Sequence, residues 1–530
     1  MRRSLAMILL ALLGGFARPA AAIDAAVVGK LAFGESDEKI AAIGALVASG
    51  DERALPLLQA LADGSVQTSG KRVLIIAGDE AVDAVTGEKI KPLPEEREDI
   101  VVNNRLRREI DSALGALRLV SPDRAARFKA ASALEDGADE SALPLVKKAL
   151  EHENDPAIKR LLELIAASIE MRSGDAAIRL AAVRALGQSG NPGTKTQLLA
   201  LLQKTDGSVD AETRAAAQLS LRAVEGRLAW GERLGLAFAG VSLGSILLLA
   251  ALGLAITYGL MGVINMAHGE LIMIGAYATY VVQNFFRAHA PGAFDWYLAC
   301  AAPAAFLASA AVGMALERTV IRWLYGRPLE TLLATWGISL MLIQAVRTVF
   351  GAANVQVENP VWMSGGIEVL ANVVLPWSRI VIIAFAGAVL AGMWLLLTRT
   401  RLGLFVRGVT QNRAMAACVG VPTARVDTWA FGLGSGIAGL AGCALSQIGN
   451  VGPDLGQAYI VDSFMVVVLG GVGQLAGTVY AALGLGFANK LLESWQGAVL
   501  AKIAVLVFII FFIQKRPQGL FAIKGRSLET

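Results

Sequence analysis

Near the middle of the chain, the run NMAHGE places an amide, an imidazole and a carboxylate, Asn265, His268 and Glu270, at the end of a stretch from 234 to 269 that contains no Lys, Arg, Asp or Glu. Polar groups in such apolar surroundings are costly unless they line a cavity or find partners, and unwound backbone at a helix break is a common place for a transport protein to bind solute. The chemistry on offer is hydrogen bonding to a small polar solute. The same residues also suit a structural duty, with Asn265 and His268 capping a break and Glu270 in the first turn of the next helix. His268 alone is no metal site. No paired carboxylates, nucleophile with a base or histidine cluster stands out, so binding is favoured over catalysis.

A second constellation is GVTQNRAMAACVGVP, residues 408–422. Gly408 and Gly420 bracket good helix formers with a small apolar face of Ala414, Met415, Ala417 and Cys418, and the stretch Gln411, Asn412, Ala414, Met415, Ala416, Gly420 and Val421 reads as a short capped helix. Such a helix is a docking element for a partner. An ordinary basic loop explains Arg399, Arg401, Arg407, Arg413 and Arg425 but not the capped apolar helix. A third feature is the glycine string Gly470, Gly471, Gly473 and Gly477. It lacks the preceding strand and acidic partner of a dinucleotide loop, so a helix break with close packing is the better reading. No GxxxxGK[ST] occurs, so the chain itself is not expected to hydrolyse ATP, and no cofactor is implied.

The elements that carry these residues follow from charge. Of 530 residues 55% are hydrophobic and 17% charged, but the average describes no part of the chain. Residues 23–236 hold 28 Lys/Arg and 33 Asp/Glu, whereas 237–530 hold only 17 and 11. The second density suits a lipid bilayer, where ionised groups are expensive. The net charge of +4 is a sum over unlike regions and implies no basic face for nucleic acid. The three cysteines, Cys300, Cys418 and Cys443, all lie in the second part at no metal-ligand spacing.

Residues 1–22 combine Arg2 and Arg3, a short apolar run and a terminal Ala20-Ala21-Ala22, as in a cleaved secretory signal. Residues 23–232 are then expected outside the cytoplasm, in a bacterium in the periplasm. There the run from Ala45 aligns without a gap on the run from Ala133, matching Leu46, Leu55 and Pro56 to Leu134, Leu143 and Pro144, and a looser copy follows from Ala185. Each copy reads as two helices about a turn, which resembles stacked HEAT-like repeats. A small β-hairpin insertion is expected within 71–102.

Residues 233–530 are expected to form a polytopic helical domain. The uncharged stretch 234–269 would run about 54 Å as one helix against a hydrocarbon core of about 30 Å, so it must break, and the cluster of Gly262, Asn265, His268 and Gly269 places the break within 259–269. Basic loops at 318–327 and 399–425 and a basic tail from Lys515 face the cytoplasm by the positive-inside rule. Parity then demands a break near the glycine string, and seven to nine crossings with re-entrant or broken helices. Residues four apart, such as Gly432 and Gly436, Ser435 and Gly439, and Ala438 and Gly442, let helix backbones approach closely. The fold class is all-α throughout, apart from the hairpin.

Three runs, GLMGVINMAHGELIMIGAYATY at 259–280, QNRAMAACVGVP with FGLGSGIAGLAG at 411–442, and VVLGGVGQLAGTVYAALGLG at 467–486, resemble the permease subunits of ABC importers of the branched-chain amino acid type. The extra secreted domain, with DIVVNNRLRREIDSALGALRLVSPDR at 99–124, is similar to that of the extended permease subunits of high-affinity urea importers. The resemblance implies a second, related permease subunit, two cytoplasmic ATPase subunits and a periplasmic solute-binding protein as partners, with the chain itself seated in the lipid bilayer. It implies that Gln411 to Val421 contacts an ATPase and that Asn265, His268 and Glu270 lie near the translocation path. A short-amide or amino-acid permease is the rival within the class, and a membrane-anchored sensor or scaffold the rival outside it.

Overall fold

A computed structural model describes residues 24–49, 53–77, 80–94, 97–135, 142–204 and 209–521. The signal-like residues 1–22 lie outside the described residues, as do Lys524 and Arg526 of the basic tail. The chain divides into two compact units, residues 1–229 and 230–530.

The first unit is built of helices α1 (Ala25–Phe33), α2 (Ser36–Ser49), α3 (Ala54–Ala62), α4 (Asn104–Leu117), α5 (Arg124–Glu135), α6 (Leu143–His152), α7 (Pro156–Glu170), α8 (Ala176–Leu186) and α9 (Pro192–Gln203), and of the start of α10 (Ala211–Met261). Several helices begin by one local rule. Asp24, Asp155, Asp175 and Asn191 each accept a hydrogen bond from the N–H two residues ahead, which satisfies a donor that the helix itself leaves orphaned. Pro156 and Pro192 occupy the first helical position, where a missing N–H costs nothing. The two aligned runs fall on α2–α3 and on α5–α6. Their matched positions Leu46 and Leu134, Leu57 and Leu145, and Leu58 and Val146 are buried in one apolar cluster. A second cluster, with Val183, Leu186, Leu198 and Ala217, continues along α8, α9 and the start of α10.

The insertion is larger than the expected hairpin and corrects the all-α reading. Strands β1 (Val66–Ser69), β2 (Arg72–Ala77), β3 (Glu80–Asp83), β4 (Lys89–Ile90) and β5 (Glu98–Asp99) form one antiparallel sheet in the order β4-β3-β2-β1-β5. Gly70 at φ +60° closes the β1–β2 turn, with Ser69 paired to Arg72.

One half-buried ion pair ties α5 to the chain after α6. Arg127 Nε lies 2.8 Å from Glu153 Oε2, and its Nη1 donates to the carbonyls of Ser121 and Pro122 at 3.0 Å. Glu153 Oε1 also accepts from the N–H groups of Asn154 and Asp155. The hydrogen bond from Arg127 outweighs burial and holds the Glu153 carboxyl below the usual carboxylate range. Asp210, bonded by the Thr213 N–H and hydroxyl and by Arg179, is held far below that range.

The second unit contains the rest of α10, then α11 (His268–His289), α12 (Tyr297–Thr319), α13 (Pro328–Phe350), a hairpin of β6 (Gly366–Leu370) and β7 (Val373–Pro376), α14 (Trp377–Arg399), α15 (Arg401–Gln411), α16 (Arg413–Cys418), α17 (Thr423–Ser446), α18 (Gln457–Gly470), α19 (Leu475–Gln496) and α20 (Ala498–Lys515). Among the described residues seven helices, α10, α12, α13, α14, α17, α19 and α20, are long and apolar enough to cross a membrane. The hairpin β6–β7 lies in a segment that the sequence marks only as a connection.

Helix α17 is the packing centre of this unit, and its small residues explain how. A methyl group on Gly442 would overlap the carbonyl oxygen of Ile272 on α11, one on Gly439 that of Ala305 on α12, and one on Gly434 the carbonyl oxygen of Gly253 on α10. Gly436 lies against the ring of Phe306. Three neighbouring backbones therefore approach one helix without intervening side chains, the arrangement that stripes of small residues make possible in lipid.

Candidate functional site

Helix α10 ends in a left-handed turn at Gly262, φ +64°, and helical geometry resumes only at His268. The intervening backbone is held from two sides. Asn265 Oδ1 accepts from the Ala267 N–H at 3.0 Å, and Thr335 Oγ1 on α13 accepts from the Met266 N–H at 3.1 Å. His268 Nε2 lies 2.9 Å from the Ala250 carbonyl of α10 and donates to it. Glu270, 1% exposed, accepts from the Ser339 hydroxyl of α13 at 2.7 Å.

His268 and Glu270 do not converge. Two residues along a helix is a rotation of about 200°, so one side chain reaches α10 and the other reaches α13. The imidazole acts as a staple between α10 and α11. On the α13 side the structure brings together Glu270, Ser339, Thr335 and the unwound backbone. Several buried polar atoms there and beyond lack a protein partner: Asn265 Nδ2, His268 Nδ1, Glu270 Oε2 and, along α11, Tyr277 Oη and Gln283 Nε2. Since nearly all buried polar groups in folded proteins are bonded, such a group of orphans is informative. Beside the interrupted helix itself, Asn265 Nδ2 is an amide donor and Glu270 Oε2 a carboxylate acceptor.

The residues that sequence reasoning missed are on α13. Thr331, Thr335, Ser339 and Ile343 are its buried positions, four apart, while Leu329, Leu333, Trp336, Leu340 and Met341 are exposed. A helix that turns a hydroxyl stripe inward within an apolar sequence is marked by that spacing alone. Further along, Arg347 pairs with Asp454 at 2.9 Å.

The second constellation forms α16. Asn412, in extended geometry, caps the helix by accepting from the Met415 N–H at 2.9 Å, and Gly420 at φ +88° ends it, with the Val421 N–H returning to the Ala416 carbonyl. Ala416 is buried against the unit. Ala414, Met415, Ala417, Cys418 and Val419 are exposed, Met415 at 61% and Val419 at 72%. Gln411, at the end of α15, is exposed as well.

At the glycine string α18 stops at Gly470, Gly471 and Gly473 adopt φ of +99° and +79°, and α19 starts at Leu475. The backbones of Gly470 and Gly477 meet so closely that neither position has room for a methyl group. Gly473 likewise abuts Gly259 of α10.

The family model described as "Branched-chain amino acid transport system / permease component" matches residues 236–514. The chain is 28% identical over 289 residues to the high-affinity branched-chain amino acid transport system permease protein LivH of Salmonella typhimurium, covering 53% of this chain and 93% of that one. It is 27% identical over 287 residues to the corresponding permease protein BraD of Pseudomonas aeruginosa, again 53% and 93% of the two chains. A shorter match, 31% over 111 residues, is to the ribose import permease protein RbsC of Escherichia coli, covering 20% of this chain and 35% of that one. No solved structure matches.

Proposed function

The chain belongs to the family of branched-chain amino acid transport permease components, and from that premise we propose that it is the membrane subunit of an ATP-driven importer whose solute is urea. Its working parts are the broken α10–α11 helix as part of the solute path and α16 as the docking helix for ATPase subunits in the cytoplasm. A second, related permease and a periplasmic binding protein complete the importer. Residues 1–22 act as a secretory signal, and residues 23–232 form a periplasmic stack of HEAT-like repeats that docks the binding protein or the complex itself.

The observation that carries this reading is the group of orphaned buried atoms at the break. Asn265 Nδ2 supplies a donor and Glu270 Oε2 an acceptor, and urea has a carbonyl that accepts and two amino groups that donate. A neutral solute is favoured because residues 262–270 contain no Lys or Arg to meet a solute carboxylate. The first unit supports the urea assignment in another way: it lies outside the stretch shared with the amino-acid permeases.

Branched-chain amino acid import is the second reading. The relatives' names favour it, and so does an apolar cavity of about 250 Å³ between α12, α14 and α17, lined by Ala302, Met363, Ile382, Phe385 and Gln447. Substitution of Glu270 decides the place of the break in the path. Glu270→Ala, measured for uptake at matched membrane abundance, is expected to abolish transport of whichever solute the importer carries. Wild-type uptake by that variant would remove the break from the path.

A further inference from the structure

We propose that Arg413, Asp427, Tyr325 and Glu317 form a latch that makes α16, α12 and α17 move as one body, so that displacement of α16 reaches the solute path. The proposal rests on the reading of α16 as the ATPase-docking helix. It concerns four residues that the sequence shows only as scattered polar positions.

The guanidinium of Arg413, the first residue of α16, bonds both carboxylate oxygens of Asp427 in the second turn of α17. It also lies over the ring of Tyr325, 5.2 Å from the centroid. The Tyr325 hydroxyl donates to Glu317 Oε1 at 2.9 Å, and Glu317 Oε2 accepts from the Thr428 hydroxyl at 2.7 Å. Arg318 Nε reaches the same hydroxyl at 3.1 Å. One connected network therefore joins the end of α12, the turn after it, α16 and the start of α17. The side chain of Asp427 is only 3% exposed and Glu317 only 1%, while Arg413 is 45% exposed.

Burial is what makes the network stiff. A carboxylate removed from water cannot easily give up its partner, whereas an apolar contact such as that of Ala416 can slide. Beyond the latch, α17 meets α11 by backbone at Gly442 against Ile272, two residues from Glu270. It meets α10 by backbone at Gly434 against Gly253, one turn from the carbonyl that His268 holds. Close-packed backbones leave no side-chain play to absorb a shift.

The test uses the complete importer, with its partner subunits, in membrane vesicles, comparing Asp427→Asn and Tyr325→Phe with wild type. Three quantities are read: ATPase subunits retained on purification, ATP hydrolysis, and labelled solute taken up per ATP hydrolysed. The latch predicts that both variants retain the ATPase subunits and hydrolyse ATP within about twofold of wild type. Uptake per ATP should fall at least about tenfold in Asp427→Asn and by a smaller factor in Tyr325→Phe, which keeps the ring under Arg413. The exchange Arg413→Asp with Asp427→Arg should restore part of the loss. Unchanged uptake per ATP in both variants would overturn the latch. So would uptake lost only in proportion to ATPase subunits lost, because that is a docking defect. Failure of the underlying reading is separate: it would show as Met415→Asp leaving ATPase association intact.

Discussion

Met415 gives the sharpest perturbation of the proposed docking helix. It is the third residue of α16, its N–H is already bonded by Asn412, and its side chain is 61% exposed. Replacing it disturbs only the smaller, covered part of its surface. Complete burial of a methionine is worth about 1.5–3 kcal/mol, so covering the exposed part contributes about 1–2 kcal/mol to docking. Met415→Ala should therefore weaken ATPase association by about 5- to 30-fold. Met415→Asp should do more, because a carboxylate forced into an apolar socket costs several kcal/mol, enough for a loss beyond about 100-fold. The same aspartate suits the first turn of a helix, where it faces the positive end of the dipole, so α16 itself should persist. The assay is co-purification of ATPase subunits with tagged permease, alongside uptake at matched membrane abundance. Wild-type association and uptake by Met415→Asp would refute the assignment of α16 as the docking helix.

The backbone contact of α17 predicts that Gly442→Ala lowers the stability of the purified protein by about 1–3 kcal/mol, since the obstructing atom is a backbone oxygen that cannot turn aside. Gly387→Ala on α14, where a methyl group meets nothing, should leave thermal unfolding unchanged or slightly improved. If both alanines behave alike, close approach is not what the α17 glycines provide. In the first unit, Glu153 is held below the normal carboxylate range, so its contribution is complete above the unfolded value and is lost as pH falls through the folded one. Arg127→Ala should accordingly cost about 1.5–3 kcal/mol near neutral pH and flatten the acid side of the stability profile. Parallel profiles for wild type and variant between pH 2 and pH 6 would contradict this.

Much of the architecture was legible where a single physical constraint acts on neighbouring residues. The uncharged stretch 234–269 was too long for one crossing, and the chain does break at Gly262. The stop at Gly420 follows from residue type, whereas Gly408, expected to open the same helix, lies inside α15, and the opening cap is Asn412. The spacing of small residues in α17 announced close packing, although not that one helix would meet three partners. What escaped reading depends on distant positions. The sheet extends beyond the β2–β3 hairpin because β1 and the two-residue strand β4 flank it and β5, two charged residues, Glu98 and Asp99, pairs with β1 from about thirty positions away. The α13 hydroxyls became meaningful only when Thr335 and Ser339 were placed opposite Met266 and Glu270. Likewise, nothing local connects Glu317 to Thr428, which are 111 residues apart. The rotation that separates His268 from Glu270 was available from helix geometry, but only the partners Ala250 and Ser339 give it consequence.

The most direct measurement is accumulation of labelled urea and labelled leucine by cells with the chain deleted, then restored as wild type or as Glu270→Ala. Import of urea through the broken helix predicts that urea accumulation disappears on deletion, returns with the wild-type chain and not with Glu270→Ala, while leucine uptake persists throughout. Loss of leucine uptake with urea accumulation unchanged would contradict it and assign the chain to amino-acid import.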